Sequence, residues 1–308
     1  MSYTGLLWYA FRNSPTRSFT GEISHTMETA ILLIQCQDQQ GIVARVSECI
    51  FRHGGNITDS DQYTTDPFGG WFMMRLEFAY DPERVDVAAL RNDLDELAHT
   101  LDARFSFHHG RTTLRMGILV SKFDHCLEDL LYRRRSGELE VEIPWVISNH
   151  PDLEDRVRAY GIPFHHVPFT KETQESAEQA ILDVAGGSTD FLVLARFMRI
   201  LSTDFLNTYG KDVINIHHSF LPSFKGADPY RQAYDRGVKV IGATAHFATA
   251  DLDEGPIIEQ VVQRVSHKDN LKELKRKGRS LEKQALANAV LAYIQRRIIR
   301  LENKTVVF

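Results

Sequence analysis

Only three cysteines occur in 308 residues. Cys36, Cys49 and Cys126 cannot all pair and show no C-x-x-C spacing, which excludes a disulfide scaffold and a cysteine zinc site and favours reduced thiols. No apolar run approaches ~18 residues, the length that a membrane-spanning helix needs. A basic surplus is missing too. Against 36 Lys and Arg stand 41 Asp and Glu, a net charge of −5, so nothing marks nucleic acid or an anionic membrane as a partner. No H-x-x-x-H spacing points to a metal. The pairs His108-His109, His165-His166 and His217-His218 turn adjacent rings to opposite faces of a strand, a poor arrangement for shared ligation. Internal repeats and low-complexity tracts are also absent. What is present suits a soluble metabolic enzyme of the cytoplasm, with 43% apolar residues to fill the cores of two domains.

Residues 1–26 stand apart. They carry Arg12 and Arg17, several Ser and Thr, and no acid before Glu22. Such composition weakly resembles a mitochondrial transit peptide, which would place the protein in the matrix; the plainer reading is a disordered extension upstream of a start at Met27.

From 28 to 110 the pattern is β-α-β-β-α-β. Ala30 to Cys36 reads as a buried strand, and Val43, Val46 and Ile50 recur at helical spacing up to Gly54-Gly55. Ile57 to Thr65 and Trp71 to Ala79 form a hairpin about the Asp66–Gly70 turn. A helix follows over Val85 to Leu101, and a last strand over Ala103 to His108. The order is that of a ferredoxin-like split βαβ unit. With Asp38-x-x-Gly41-Ile42 at the first strand–helix turn, it resembles an ACT domain, whose members bind small ligands, often amino acids, where this loop meets a neighbouring chain. Gly41 lets a backbone approach a ligand and the helix N-terminus offers N–H donors to a carboxylate. The alternative is a structural turn, with Gly41 present for its φ angle and Asp38 as a cap. The resemblance implies a homo-oligomer, with Asp38, Gly41 and Asn56 as the effector site and glycine or methionine as effector.

From 114 to 308 strands alternate with helices, the signature of a mostly parallel, Rossmann-like sheet with right-handed crossovers. Strands are expected at Met116–Val120, Val141–Ser148, Phe164–Val167 and Phe191–Ala195. Helices are expected at Leu127–Arg135, Asp152–Tyr160 and Glu175–Val184, with a long one over Asn270–Arg300 and a short terminal strand after it. The chemistry concentrates in 213–256. The apolar run Val213–Ile216 holds Asn215 and ends at His217; these two lie on one strand face. A second run, Val240–Phe247, carries His246 and leads into Ala250-Asp-Leu-Asp-Glu-Gly-Pro, with Asp253 seven residues after His246. An amide, an imidazole and a carboxylate are the parts needed to polarise a carbonyl and move a proton. The turns bearing them are expected beyond the carboxyl ends of the strands, where such sheets take ligands.

The N-x-H pair and GATAHF-x4-LDEGP resemble the catalytic signature of the folate-dependent formyltransferase family, with which the chain shares a fold by implication. Asn215-Ile-His-His-Ser-Phe-Leu-Pro looks most like the formyltetrahydrofolate deformylases of that family, and SKFDHC, VISNHPDL, GIPFHH, TKET and NKTVVF extend the likeness over nearly all of 27–308. The resemblance implies hydrolysis of 10-formyltetrahydrofolate to formate and tetrahydrofolate, feeding formate to purine synthesis, with the folate as substrate and no further cofactor. Asn215, His217 and Asp253 would be catalytic, Asp253 as base or as the group that holds His217 protonated. His246 and His218 would support them. Phe197, Met198, Arg199, Ile200, Leu201 and Asp251 would line the folate slot, largely through backbone. The alternative is transfer to an amine acceptor. Against it, the segment after the first strand of this domain, Val120-Ser-Lys-Phe-Asp-His125, lacks the glycines with which the related glycinamide ribonucleotide transformylases cradle an acceptor's phosphate.

Overall fold

The structure is a computed structural model that describes residues 27–66, 68–110, 112–223 and 228–308; the expected N-terminal extension lies outside the described residues. β1 (Glu28–Gln37) alternates along its length and buries Ala30, Leu32, Ile34 and Cys36. It is followed by α1 (Ile42–Arg52), β2 (Asn56–Thr64), β3 (Trp71–Tyr80), α2 (Val87–Leu101) and β4 (Arg104–His109). The sheet order is β2-β3-β1-β4, with every pairing antiparallel. α2 begins two residues later than Val85 because the Asp86 side chain accepts from the N–H groups of Ala88 and Ala89 and caps it there.

The larger unit runs through β5 (Leu114–Val120), α3 (His125–Arg135), β6 (Val141–Glu142), β7 (Val146–Ser148), α4 (Glu154–Ala159), β8 (Phe164–His166), α5 (Gln174–Ala185) and β9 (Phe191–Ala195). It continues through α6 (Thr203–Tyr209), β10 (Val213–His217), α7 (Pro229–Asp235), β11 (Val240–Phe247), β12 (Ile257–Arg264) and α8 (Leu271–Ile294). A terminal hairpin, β13 (Ile298–Leu301) and β14 (Lys304–Val307), closes the chain. The main sheet runs β12-β11-β10-β9-β5-β7-β8, with β6 beside β5. β10, β9, β5, β7 and β8 are parallel, whereas β11 and β12 run antiparallel.

Three expectations need correction, and two elements are added to those expected. The strand expected over 141–148 is two pieces, because Pro144 between them has no N–H for the ladder. The long tail helix stops at Ile294, and Arg296 with a φ of 53° turns the chain into β13. β12 and α7 were not anticipated. Finally, the register pairs Ile214 with Phe247, so the carboxyl end of β11 lies beside the amino end of β10. The Asp251–Asp253 turn therefore does not sit beyond a parallel strand's carboxyl end.

Two layers cover the sheet. Ile214 and Ile216 of β10 join the core that α3 and α8 complete, while Val213 joins the core shared with α5 and α6. By alternation Asn215 and His217 belong to this second face.

Candidate active site

β10 presents Asn215 and His217 at its carboxyl end, and β11 places His246 directly opposite Asn215. The loop after β11 doubles back over this face. Its start is tied down where Ala248 N–H donates to the Val213 carbonyl, and its end where Phe247 N–H donates to Pro256. Gly255 is required between these ties, since a Cβ there would lie 1.8 Å from the Phe247 oxygen. The fold-back delivers Asp253 onto the histidines. His217 Nδ1 stands 3.1 Å from Asp253 Oδ2, and His246 Nε2 stands 3.7 Å from Oδ1. His246 Nδ1 lies 2.9 Å from the Phe247 carbonyl, a donor's position, so Nε2 turns to Asn215 Nδ2 at 3.1 Å. Asp253 adopts a φ of 57°, a left-handed conformation that costs a non-glycine residue of order 1 kcal/mol.

Burial would raise the Asp253 carboxyl, but the neighbouring His217 and His246 outweigh it and hold the group well below the usual carboxylate range. One atom of the constellation is unspent. His217 Nε2 is buried and has no hydrogen-bond partner. With Nδ1 occupied by Asp253, this nitrogen is the one free to meet a substrate. His218 lies outside that constellation. Its ring centroid is 5.3 Å from that of His217 and 6.0 Å from that of Tyr230, and burial, with the nearby Arg196 charge, pushes its imidazole down to about 3.

The 197–201 segment leaves β9 as an irregular loop rather than as the start of a helix. Arg196 and Met198 have φ of 64° and 56°. The Phe197 and Leu201 side chains point into the core, Phe197 edge-on to Phe169 at 5.7 Å. Met198, Arg199 and Ile200 face outward. Residues not singled out in the sequence brace the loop. Ser121 Oγ contacts the Phe197 carbonyl and donates to Asn149 at 2.6 Å, and Glu178 accepts from Ser202 N–H at 2.8 Å. Thr244 likewise pins the chain after His217, donating to the Ser219 carbonyl and accepting from Leu221 N–H. Polar residues among apolar neighbours, just after β5 and β7 and within α5 and β11, were the only signal available for these. A cavity of about 210 Å³ lies between α6 and the loop after β11, lined by Thr203, Leu206, Lys211, Asp212, Val213 and residues 247–250, with Arg300 of β13 beside them. Asp251 is exposed on the turn beyond it.

In the smaller unit, the three expected effector residues do not converge within one chain. Gly41, at φ 85°, starts α1 with open space about its Cα, and Asp38 accepts from the Thr64 hydroxyl at 2.9 Å. Asn56 pairs with Ala79 while Thr64 pairs with Phe72, so Asn56 lies at the opposite end of the sheet, roughly 23 Å away along the strands. The turn glycine alone carried no information about that separation. Two clusters among the described residues have donor sets that suit a cation, Cys49–His53–Asp93 and His125–Cys126–Glu282. Neither contains an expected site residue, and in the second the Arg196 guanidinium stands 3.3 Å from Glu282 as a competing cation.

Residues 114–290 match the family model described as formyl transferase, and 28–108 match that of the ACT domain. A formyltetrahydrofolate deformylase from Synechocystis sp. is 50% identical over 91% of this chain and 98% of its own length. Among solved structures, a formyltetrahydrofolate deformylase from Pseudomonas syringae pv. tomato superposes with a TM-score of 0.86 at 42% identity, covering 93% of this chain and 96% of that one. Glycinamide ribonucleotide transformylase 1 from Symbiobacterium toebii shares the larger unit alone, with a TM-score of 0.61 at 28% identity over 65% of this chain and 97% of that one. Both units, in the same order and over nearly the full length, are shared with the deformylases, and the chain belongs to the formyltetrahydrofolate deformylase family.

Proposed function

We propose that the chain hydrolyses 10-formyltetrahydrofolate to formate and tetrahydrofolate by means of Asn215, His217 and Asp253. The observation that carries this reading is the unpartnered Nε2 of His217, held toward the site by a carboxylate on Nδ1. Asn215 and His217 donate to the formyl oxygen as water adds and negative charge develops there. Asp253 is a weak base, held far below the pH at which a general base works best. Its role is to orient His217 and to balance the charge that imidazole carries, with His246 aligning the Asn215 amide.

The folate's ring system fits the 210 Å³ cavity between α6 and the 248–250 loop. Exposed Met198, Ile200 and Leu252 on the flanking loops offer an apolar rim. Phe197 and Leu201 serve as anchors that leave backbone groups for the ring edge. No further cofactor enters this reading. Formate so released feeds formate-dependent purine synthesis, and the compartment is the cytoplasm, or the mitochondrial matrix if 1–26 is a transit peptide. None of the described helices is long and apolar enough to cross a membrane. The ACT unit assembles the chain into a homo-oligomer through the exposed edges β2 and β4, with Asp38 and Gly41 of one chain completing a glycine or methionine site with a neighbour.

The test is formate release from 10-formyltetrahydrofolate without any amine, repeated with glycine and with methionine. Turnover without amine is expected. Turnover only on adding an amine would replace the hydrolase by a transferase, and indifference to both amino acids would remove the effector site alone.

A further inference from the structure

The order of central strands reverses between β5 and β9: β7 and β8 extend to one side of β5, β9 and β10 to the other. Loops leaving strands at such a switch point diverge, and the crevice between them is where open α/β sheets take ligands. In this chain protein side chains fill it. The glycine-free segment after β5 contributes Phe123 and His125, and Arg196 follows directly on β9. The Arg196 guanidinium lies 5.3 Å from the Phe123 ring centroid and 3.3 Å from Glu282 of α8. His125 Nε2 donates to Glu282 Oε2 at 2.7 Å and the Tyr230 hydroxyl donates to Oε1 at 2.6 Å.

Several features show that this plug is built. Alternation along β9 would send Arg196 to the face of Leu192 and Leu194, but its φ of 64° breaks the alternation and it meets α8 on the other. One turn before Glu282, Gly278 makes room for Tyr230, since a Cβ there would lie 2.1 Å from the phenol. Glu282 is 1% exposed and Arg196 8%. Burial would raise the Glu282 carboxyl, yet the His125 hydrogen bond and the Arg196 charge hold it low. Well-packed apolar residues of like volume would be as stable or more so. Moreover, Arg196 Nε and Nη1 and His125 Nδ1 are buried without hydrogen-bond partners, so the cluster is not optimised for its own stability. His218 ties it to the reacting centre, its ring standing between that of Tyr230 at 6.0 Å and that of His217 at 5.3 Å.

We propose that this plug of Phe123, His125, Arg196, Tyr230 and Glu282 determines the acceptor, closing the crevice to nucleophiles larger than water. The proposal rests on the hydrolase reading above and names the side chains that enforce it. In hydrolysis a water oxygen bonds to the formyl carbon and the C–N10 bond breaks. One water proton passes to N10, and formate leaves as the other proton goes to solvent. An amine admitted through an opened crevice forms a C–N bond in place of the C–O bond. The same C–N10 bond breaks, an amine proton passes to N10, and a formamide leaves.

Phe123→Ala and the double variant F123A/H125A test this with full-length protein, 10-formyltetrahydrofolate and glycinamide as the amine. The readout is the ratio of formylglycinamide to formate, which does not depend on how much of a variant is active. Wild type is expected to give formate only, and the variants to give formylglycinamide at a ratio at least about tenfold above the wild-type detection limit, the scale of discrimination that steric exclusion of a small group supplies. Phe123 is half exposed and donates no hydrogen bond in the cluster, so its truncation leaves the buried pair intact. An unchanged ratio in both variants, or formylglycinamide from wild type, overturns the proposal. Absence of formate from wild type without amine would instead overturn the hydrolase reading.

Discussion

Two carboxylates near one end of the main sheet, Asp253 and Glu282, invite comparison. Each meets a histidine, at 3.1 Å and 2.7 Å, and each is held below the ordinary carboxylate range. They share a second imidazole nitrogen that is buried without a hydrogen-bond partner, and they differ in what else surrounds the carboxylate. Among the described residues Asp253 faces only His217 and His246, whereas Glu282 also accepts from the Tyr230 hydroxyl and faces the Arg196 guanidinium. Asp253 also sits on a loop with a left-handed backbone, whereas Glu282 sits mid-helix. The same carboxylate–histidine pair is thus carried on a loop in one case and closed in by a tyrosine and an arginine in the other. The pair alone does not distinguish them; loop or helix, and the further partners, do.

The comparison breaks most sharply at Asp253→Asn. The amide keeps the shape but loses the charge and the fixed orientation of His217, and turnover should fall by roughly 10⁴-fold, as when the orienting carboxylate of a histidine pair becomes an amide. Folate binding should barely move; retention of a tenth of wild-type turnover would show that Asp253 does not orient the catalytic imidazole. Glu282→Gln should do the reverse. It leaves Arg196 as an uncompensated buried charge, and denaturant unfolding should report a loss of about 3–5 kcal/mol. A stability equal to wild type would mean that the cluster is hydrated and not a plug.

The smallest effect is in pH. Both folded carboxyls lie below their unfolded values, so their stabilisation is fully present above about pH 5 and is lost as pH falls through the folded values. Melting temperature measured from pH 7 down to 3 should decline below about pH 5 in wild type, and less steeply in Glu282→Gln, which has lost one of the two titrations. Parallel slopes would assign the acid sensitivity to other groups.

Much of this was legible in the chain. Alternation and helical spacing marked most strands and helices, and the separation of Asn215 from His217 put both on one face of β10. Period and spacing act over a few residues, and the chain records them directly. The sequence did not show that β11 runs antiparallel, although this is what sets His246 against Asn215. Nor did it show that the following loop folds back, because Gly255 reads as a turn until the Phe247 carbonyl it touches is known. Nor did it show that register along β2 sets Asn56 and Asp38 at opposite ends of one chain. Glu282 and His125 look like polar helix residues, 157 positions apart, until α3 and α8 bring them within a hydrogen bond. The sequence determined which residues share an element and a face. Which faces meet was decided by strand direction, register and helix docking, because those contacts join segments whose separation along the chain leaves no local trace.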